Sequence, residues 1–483
     1  MFFYCYIFNL SDLLTNVISG DKIVKKLREG RMMKVLVING SPKGKYSITL
    51  QTSKFLEIKF SEHTFEYLNV GAQIRSIEKD FSQAREKITN ADLLIFSYPV
   101  YTFIAPYQLH RFIELIKEDG VDLSGKFVTQ ISTSKHFYDV TAHRYIEDNC
   151  HDLNMKYIRG LSADMDDLSK ESGQNDAVAF FNFVLWSVEN GIFERKKLPD
   201  ISFEPITATV PDKRTDKNNK DIVVVCDMSE NDVNLKKMTE RFMAVSGGQV
   251  RILNLNDINI KGGCLGCFNC AVTGECVYKD GFSETLRNNI QKADAIVYAF
   301  SVKDHSMGAL FKKYDDRQFC NGHRSVTMGM PVGYLISGPY SSEDNLRMIV
   351  DGRGEVGGNF IAGVATDEFD TDKAIDEMAI CLDYAIENSF CRPANFLGVG
   401  GMKIFRDLVY QMRGMMKADH KFYKEHGLYD FPQKHRVMSS AMYLVGAMLG
   451  SDKIKSKMGN KMNEGMLMPY VQVIEKAKKE NKK

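Results

Sequence analysis

Short apolar runs alternate with helical patterns along the first part of the chain. Residues 34–38 (KVLVI) form a continuous apolar run, which is typical of a strand buried on both faces of a parallel sheet. Further strands are predicted at 65–70, at the start of 91–116, at 126–134 and at 155–161, with helices at about 78–90 and 173–190. This alternation predicts an α/β unit with a doubly wound parallel sheet of five strands.

The same plan repeats after residue 220. Strands are predicted at 221–227, 249–255, 330–338 and 359–365, and a helix at 371–389. Residues 293–317 align without gaps on residues 91–115, so that Ala293 and Asp294 match Ala91 and Asp92. We interpret this repetition as an internal duplication of one doubly wound unit.

Breaks in the pattern predict five segments. An N-terminal extension (1–33) precedes the first strand, and a linker (196–220) with three prolines and many charges separates the two copies. We name residues 34–195 half one and residues 221–394 half two. A helical, methionine-rich tail (395–483) follows, which we expect to pack on the sheets or to form a subunit interface.

Composition narrows the class of protein. The chain is 44% apolar and 26% charged, as soluble globular proteins are. A net charge of +1 gives no reason to expect a nucleic-acid partner, and no apolar run is long enough to span a membrane. Ten cysteines without an evident export signal favour the reducing cytoplasm, and a homo-oligomer is possible.

The turn after the first strand has the residues of an anion site. Ser41, Ser47 and Thr49 supply hydroxyls, and Lys43 supplies positive charge, just before a helix begins. In an open α/β sheet, ligands bind at the carboxyl ends of the strands, and a helix N-terminus there attracts anions. The turn therefore predicts a site for a phosphate monoester, although an ordinary polar strand–helix turn would look the same.

Two later turns are expected at the same edge of the sheet. The strand at the start of 91–116 ends in aromatic and proline residues, which suit stacking on a planar ring, and the strand at 126–134 ends in hydroxyl residues. Aromatic packing of a surface loop is the alternative reading of the first of these turns. The candidate residues are Tyr98, Pro99, Val100, Tyr101, Ser132, Thr133 and Ser134.

Half two carries four cysteines in one short loop. Cys264, Cys267, Cys270 and Cys276 have the spacing C-x2-C-x2-C-x5-C, with two glycines between them and two just before the first cysteine. Three thiolates packed so closely are typical of iron–sulfur ligation, whereas zinc sites more often separate two ligand pairs by a longer spacer. A metal-free loop of reduced cysteines is the third possibility.

The two copies differ in complementary ways. Half one has NGSPKG after its first strand and no cysteine in its counterpart of the cysteine loop. Half two has the cysteines, but its first turn reads DMSENDVN, and each carboxylate there would repel a phosphate by roughly a kcal/mol. We therefore expect one phosphorylated cofactor, bound in half one. Gly352, Gly354 and Gly357 form a G-x-G-x-x-G pattern, which we assign to a loop because a strand-like run follows it.

With these motifs, half one resembles the flavodoxin-like NAD(P)H-dependent FMN reductase family. The resemblance covers most of 34–190 and rests on NGSPKGKYSIT, FSYPVYTFIAPYQLHRFI and ISTS. It departs from the family at KYSIT, where members often have Gly-Asn-Thr. Half two resembles the same family, and its cysteine loop is similar to the cluster motif of the iron–sulfur flavoproteins, which carry FMN and a [4Fe–4S] cluster.

The resemblance implies two flavodoxin-like sheets, a cofactor and a role for each candidate residue. Ser41, Lys43, Ser47 and Thr49 would hold the FMN phosphate, while Tyr98–Tyr101 and Ser132–Ser134 would border the isoalloxazine ring. The four loop cysteines would bind the cluster. The chain would then be a fused pseudo-dimer with FMN in half one and a cluster in half two.

The implied function is an FMN oxidoreductase that takes electrons from NAD(P)H or a reduced carrier and passes them to a small acceptor. No catalytic side chain is expected, because the cofactors supply the redox chemistry. Two alternatives stay open at this point. One is an electron-transfer protein that receives electrons from a ferredoxin-type donor and has no pyridine nucleotide site, and the other is a non-redox module with structural zinc.

Overall fold

The computed structural model describes residues 32–196, 202–449 and 461–480 of the chain. The described residues form two compact units: the first contains both sheets and ends at Phe422, and the second begins at Tyr423. Most of the predicted extension 1–33 and part of the predicted linker lie outside the described residues, and the five predicted segments stay predictions.

Half one forms a parallel sheet with the strand order β2-β1-β3-β4-β5, in which β6 also pairs with β4. The fifth position, predicted as one strand at 155–161, is thus shared by two short strands. The strands are β1 (Lys34–Asn39), β2 (Thr64–Leu68), β3 (Leu93–Pro99), β4 (Phe127–Ser134), β5 (Lys156–Tyr157) and β6 (Leu161–Asp164). The helices are α1 (Ile48–Lys59), α2 (Val70–Lys79), α3 (Ser82–Asn90), α4 (Tyr107–Asp119), α5 (Asp139–Asp152) and α6 (Glu171–Asn190).

Half two forms a second parallel sheet, with the order β11-β10-β9-β7-β8, which is the same topology when its strands are counted in chain order. Its strands are β7 (Asp221–Cys226), β8 (Gln249–Asn254), β9 (Ala295–Ser301), β10 (Pro331–Ser337) and β11 (Phe360–Thr366). Its helices are α7 (Val233–Val245), α8 (Asn269–Thr273), α9 (Phe282–Thr285), α10 (Gly308–Arg317), α11 (Asp344–Gly357) and α12 (Thr371–Asn388).

The C-terminal region is helical, as predicted. It contains α13 (Phe396–Gln411), α14 (Lys417–Glu425), α15 (Arg436–Leu449) and α16 (Lys461–Glu480). Helix α13 packs on α11 of half two. Among the described residues, no helix has both the length and the apolar character needed to cross a membrane. The predicted fold class of two doubly wound parallel sheets and a helical C-terminal region is confirmed.

One apolar core joins the two halves. It contains Phe112 and Ile113 of α4 together with Phe311 and Tyr314 of α10, all at most 4% exposed. Each sheet also has a separate core on its other face, formed with its own helices. The shared core makes α4 and α10 the main helix pair through which the halves meet, and α11 also packs on α5.

The glycine pattern at 352–357 was assigned wrongly from the sequence. It lies in helix α11, not in a loop. Leu346, Ile349 and Val350 are buried at helical spacing, and this periodicity decides the structure despite three glycines. A Cβ at Gly352 would lie 2.4 Å from the Tyr138 hydroxyl, so the glycine lets α11 approach half one closely.

A charge network crosses between the halves at His305. Its Nε2 lies 2.9 Å from Asp152 of half one, and its Nδ1 lies 3.0 Å from Glu343 of half two. Burial disfavours the charged imidazole, but the two carboxylates outweigh this cost and raise the pKa of His305 to about 10.

We predict that His305 makes stability depend on pH. Because its pKa is higher in the folded chain than the usual 6.5, its contribution of a few kcal/mol is complete below about pH 6.5 and is lost as the pH rises towards 10. Denaturant unfolding of wild type and His305→Gln between pH 6 and pH 10 tests this, and the variant should show a flatter profile. A His136→Gln variant is the control, since His136 is half exposed and pairs within half one with Asp139. Equal slopes for wild type and His305→Gln would contradict the prediction.

Candidate functional site

The turn after β1 brings several buried hydroxyl residues to the start of a helix. Ser47 caps α1, and its hydroxyl accepts a hydrogen bond from the Leu50 N–H at 3.3 Å. Ser41, Ser47 and Thr49 are all at most 2% exposed. The first turn of a helix has N–H groups without partners inside the helix, and these groups carry positive partial charge. The hydroxyls and N–H groups therefore form one donor set that suits a phosphate.

Asn39, the last residue of β1, holds this turn in shape. Its amide donates to the Gly44 carbonyl and to the Asn69 side chain, each at 3.0 Å, and its side-chain oxygen accepts from the Ser41 N–H at 3.2 Å. These bonds fix the path of the chain before any ligand is present. The sequence analysis did not name Asn39, although its position at the end of the strand was a usable signal.

A cavity of about 350 Å³ opens at this turn. This volume lies within the usual range for small-molecule sites. Nine of the eleven candidate residues of half one line it: Ser41, Lys43, Ser47, Thr49, Pro99, Val100, Tyr101, Thr133 and Ser134. The hydroxyls of Thr49 and Thr133 lie 2.5 Å apart and join the first and third turns.

The structure places Tyr98 and Ser132 away from the cavity. They are register partners on β3 and β4, so their side chains point to the same face of the sheet, which α5 covers. The Tyr98 hydroxyl donates to the Ala142 carbonyl at 3.1 Å, and Ser132 Oγ lies 2.7 Å from His143 Nε2. Burial lowers the pKa of His143 to about 4, so that its ring is neutral at neutral pH.

The cavity continues from half one into half two. Its lining includes Cys264 and Cys270, and also residues on β9, β10 and α11. Lys43 extends over the Phe268 ring, with its Nζ 5.4 Å from the ring centre. Gly266 has a φ of +61°, and a Cβ there would lie 2.0 Å from the Tyr101 hydroxyl. Only glycine lets the cysteine loop pass so close to the aromatic residues of half one.

The four loop cysteines surround a second, small cavity of about 30 Å³, which Cys320 also lines. The Gly266 N–H donates to Cys264 Sγ at 3.4 Å, and the Gly322 N–H donates to Cys270. Burial raises the pKa of both thiols, to about 11 for Cys270. Within the described residues, no three His, Cys, Asp or Glu side chains converge closely enough to hold a single metal ion. A cysteine quartet around one cavity fits the donor set of an iron–sulfur cluster, which is larger than an ion.

The corresponding turn of half two is filled by its own carboxylates. Asp232, at the N-cap of α7, accepts from the Ser229 N–H at 2.8 Å and from the Ser301 hydroxyl at 3.0 Å. Asp367 accepts from the Gly338 N–H at 2.8 Å. Burial and the Asp232 charge raise the pKa of Asp227 to about 7. The Ser229 and Gly338 N–H groups and the Ser301 hydroxyl thus already donate to carboxylates, whose negative charge opposes a phosphate.

Helix α10 of half two holds the aromatic turn of half one. Lys312 Nζ donates to the Tyr101 carbonyl at 3.0 Å and to the Thr102 hydroxyl at 2.5 Å. Asp316 pairs with Lys312 and accepts from the Tyr107 N–H at 2.8 Å and the Thr102 hydroxyl at 2.7 Å. Lys312 and Asp316 are 0% exposed, so their charges interact outside bulk water.

The contact is reciprocal. Glu114 of α4 accepts from the Ala309 N–H at 2.8 Å, and in the gapless alignment Glu114 matches Asp316 while Tyr107 matches Ala309. Each half thus places a carboxylate on the first turn of the other half's helix. The sequence analysis missed both carboxylates, although an acid at the same position in both copies was a usable signal.

Comparisons with known proteins agree with the fold of half one. Residues 33–169 match the family model of the flavodoxin-like fold called Flavodoxin_2. The chain is similar to an iron–sulfur flavoprotein of Archaeoglobus fulgidus, with 27% identity over 175 residues, which are 34% of this chain and 78% of the relative.

The chain is also similar to solved structures. A structure of an NADPH-quinone reductase from P. pentosaceus has a TM-score of 0.26 and 18% identity, over 32% of this chain and 98% of the other. The apo form of an NADH:FMN oxidoreductase has a TM-score of 0.28 and 19% identity, and the match covers 35% of this chain and 92% of the other. General stress protein 14 of Treponema denticola, in complex with FMN, has a TM-score of 0.27 and 14% identity, over 32% and 99%. At these values the likenesses carry no conclusion about function.

We predict that Asp316→Asn destabilises the first unit by about 3 kcal/mol, because it leaves the buried Lys312 charge undercompensated. Urea unfolding measures the loss. Asp344→Asn is the matched control, since Asp344 pairs with Arg347 on the surface with 80% of its side chain exposed, and it should cost well under 1 kcal/mol. Equal costs for the two variants would show that the contact between the halves contributes little.

Proposed function

We propose that the protein is an FMN-dependent oxidoreductase. It uses NAD(P)H or a reduced carrier as the donor and a small molecule as the acceptor. The cysteine loop holds a [4Fe–4S] cluster beside the flavin. One observation carries the proposal: the anion-binding turn of half one and two cysteines of half two line the same cavity.

The residues of half one fit FMN. The ribityl phosphate would be held by the hydroxyls of Ser41, Ser47 and Thr49, the first N–H groups of α1 and the charge of Lys43. The cavity lining contains four basic residues, and among the described residues Lys43 is the one without a recorded carboxylate partner. Val100, Tyr101 and Thr133 would border the planar ring. FMN, when bound, accepts a hydride or single electrons, and a cluster passes one electron at a time.

The residues of the cysteine loop fit a cluster better than a single zinc ion. Four thiolates are the usual ligand set of a [4Fe–4S] cluster, and backbone N–H groups such as those of Gly266 and Gly322 tune its sulfurs. Phe319 lines both the larger cavity and the small cavity of the loop cysteines, and its ring centre lies 6.1 Å from that of Tyr101. The iron–sulfur flavoprotein relative supports this assignment.

The duplication supports a chain in which each half binds one cofactor. In half one, the two residues after Tyr101 have positive φ, 41° at Thr102 and 71° at Phe103. In half two, the two residues after the matching Lys303 also have positive φ, 52° at Asp304 and 61° at His305. This repeated geometry supports a fused pseudo-dimer. Because Asp232 fills the turn of half two, we propose one FMN per chain.

The first test of the proposal is flavin binding. Lys43→Met should weaken FMN binding at least tenfold, since a charge-assisted bond to phosphate contributes about 1.5–3 kcal/mol. Fluorescence titration of the flavin-free protein measures affinity and stoichiometry. Lys45→Met is the matched control, because Lys45 is exposed in the same turn and does not line the cavity. Two flavins per wild-type chain, or equal losses in the two variants, would refute the assignment.

The second test concerns the cysteine loop. Protein purified without oxygen should contain on the order of four irons and four sulfides per chain. Cys264→Ser and Cys270→Ser should lose most of the iron, whereas Cys391→Ser should keep it, since Cys391 is exposed outside the loop. Stoichiometric zinc, or full iron in both loop variants, would overturn the cluster. Oxidation of NAD(P)H with an artificial acceptor then separates the enzyme from a carrier that receives its electrons from ferredoxin.

A further inference from the structure

The cavity has a second region that FMN binding does not explain. Its wall includes Tyr298 and Tyr334, which are register partners on two neighbouring strands of the second sheet. We name this region the distal chamber and define it by five lining residues: Phe103, Tyr298, Tyr334, Arg353 and Phe405. Phe103 comes from half one, Tyr298 and Tyr334 from β9 and β10, Arg353 from α11 and Phe405 from α13.

The walls of the distal chamber are aromatic. The rings of Tyr298 and Tyr334 have their centres 5.3 Å apart, and Phe405 stacks on Phe137 with centres 4.5 Å apart. Aromatic walls of this kind favour a flat, partly apolar ligand, which gains from stacking as well as from burial.

Arg353 is the charged group of the chamber. Its guanidinium lies over the Phe103 ring, 5.4 Å from the ring centre, and one of its nitrogens, Nη2, pairs with Asp315. Asp315 is 2% exposed and lies behind the chamber, where it also pairs with Lys312 at 3.5 Å. A guanidinium has five N–H donors, so pairing through Nη2 leaves donors for a second acceptor.

The charges that line the whole cavity have one sign. Among the described lining residues there are four basic side chains and no Asp or Glu. Lys135 is paired with Asp164 at 2.8 Å, and Arg324 lies 3.3 Å from Asp419. Lys43 lies at the anion-binding turn, where we place the FMN phosphate. Arg353 is likewise paired, with Asp315, but among these four it is the one whose charged group lies over an aromatic ring of the distal chamber.

We propose that the distal chamber binds a planar aromatic carboxylate, with the carboxylate on the free N–H groups of Arg353 and the ring between the aromatic walls. Binding of this ligand does not depend on the proposed function. Its role does, because we take the ligand to be the small acceptor of the proposed oxidoreductase. For a nitroarene carboxylate the step balances: the nitro group takes two electrons and two protons to give a nitroso group and water. NAD(P)H supplies a hydride, and the solvent supplies one proton.

The test compares two probes that differ at one group, which is an anionic carboxylate in one and a neutral amide in the other. Binding of 4-nitrobenzoate and of 4-nitrobenzamide to the full chain is measured by calorimetry, without NAD(P)H. Wild type should bind the carboxylate at least tenfold more tightly than the amide, as a charge-assisted hydrogen bond would give. Arg353→Met should lose this preference and keep its affinity for the amide within about twofold.

Three variants keep the result interpretable. Arg353→Lys should retain part of the preference, because it keeps the charge but not the fork of donors. The double variant Arg353→Met with Asp315→Asn also removes the buried carboxylate, which still pairs with Lys312 in the single variant, and it should likewise show no preference. Arg347→Met, exposed on the same helix, should behave as wild type. A preference that persists in both Arg353→Met variants, or no preference in wild type, would overturn the proposal.

The titration is done with and without added FMN. If the chain binds no FMN but prefers the carboxylate, the proposed function is refuted, and carboxylate binding in the distal chamber is supported. A chain that binds FMN but treats the two probes alike refutes the chamber and leaves the proposed function standing.

Discussion

The reciprocal contact between α4 and α10 is the constraint on which the rest of the first unit depends. Asp316 and Glu114 each accept a hydrogen bond from the first turn of the opposite helix, so the carboxylates meet the positive end of a helix dipole. A buried carboxylate is costly unless it is paired and hydrogen-bonded. Here the pairing is complete only when both halves are present. The contact therefore fixes how the halves meet, and the cavity between them follows from it.

The same contact explains how the copies could diverge. Lys312 binds the carbonyl of Tyr101, a residue that lines the cavity of half one, and the counterpart of Lys312 in half one is His110. His110 is fully buried and stacks on Tyr145, and burial holds its pKa well below the usual range. Half two thus holds the cavity-lining turn of half one with a charged side chain, while half one has a neutral ring at the same position. The asymmetry agrees with a cavity built around one anion-binding turn.

Most of the residues that sequence reasoning proposed for half one line one cavity. Ser47 and Thr49 were recognisable because a helix N-terminus after a parallel strand places its N–H groups and hydroxyls on one edge of the sheet. Sequence reasoning placed Tyr98 and Ser132 in the same site because they are consecutive with residues that do line the cavity. Along a strand, however, successive side chains point to opposite faces, and α5 covers the face to which these two residues point.

The sequence alone determined the two repeated units with parallel sheets and the cysteine quartet, because these depend on local periodicity and spacing. Only the tertiary structure decided that Cys264 and Cys270 line the same cavity as Ser41 and Lys43, and that Arg353 joins them from helix α11. Such contacts join residues far apart in the chain. Their geometry is set by the packing of α4 on α10, and no pattern within a single segment encodes that packing.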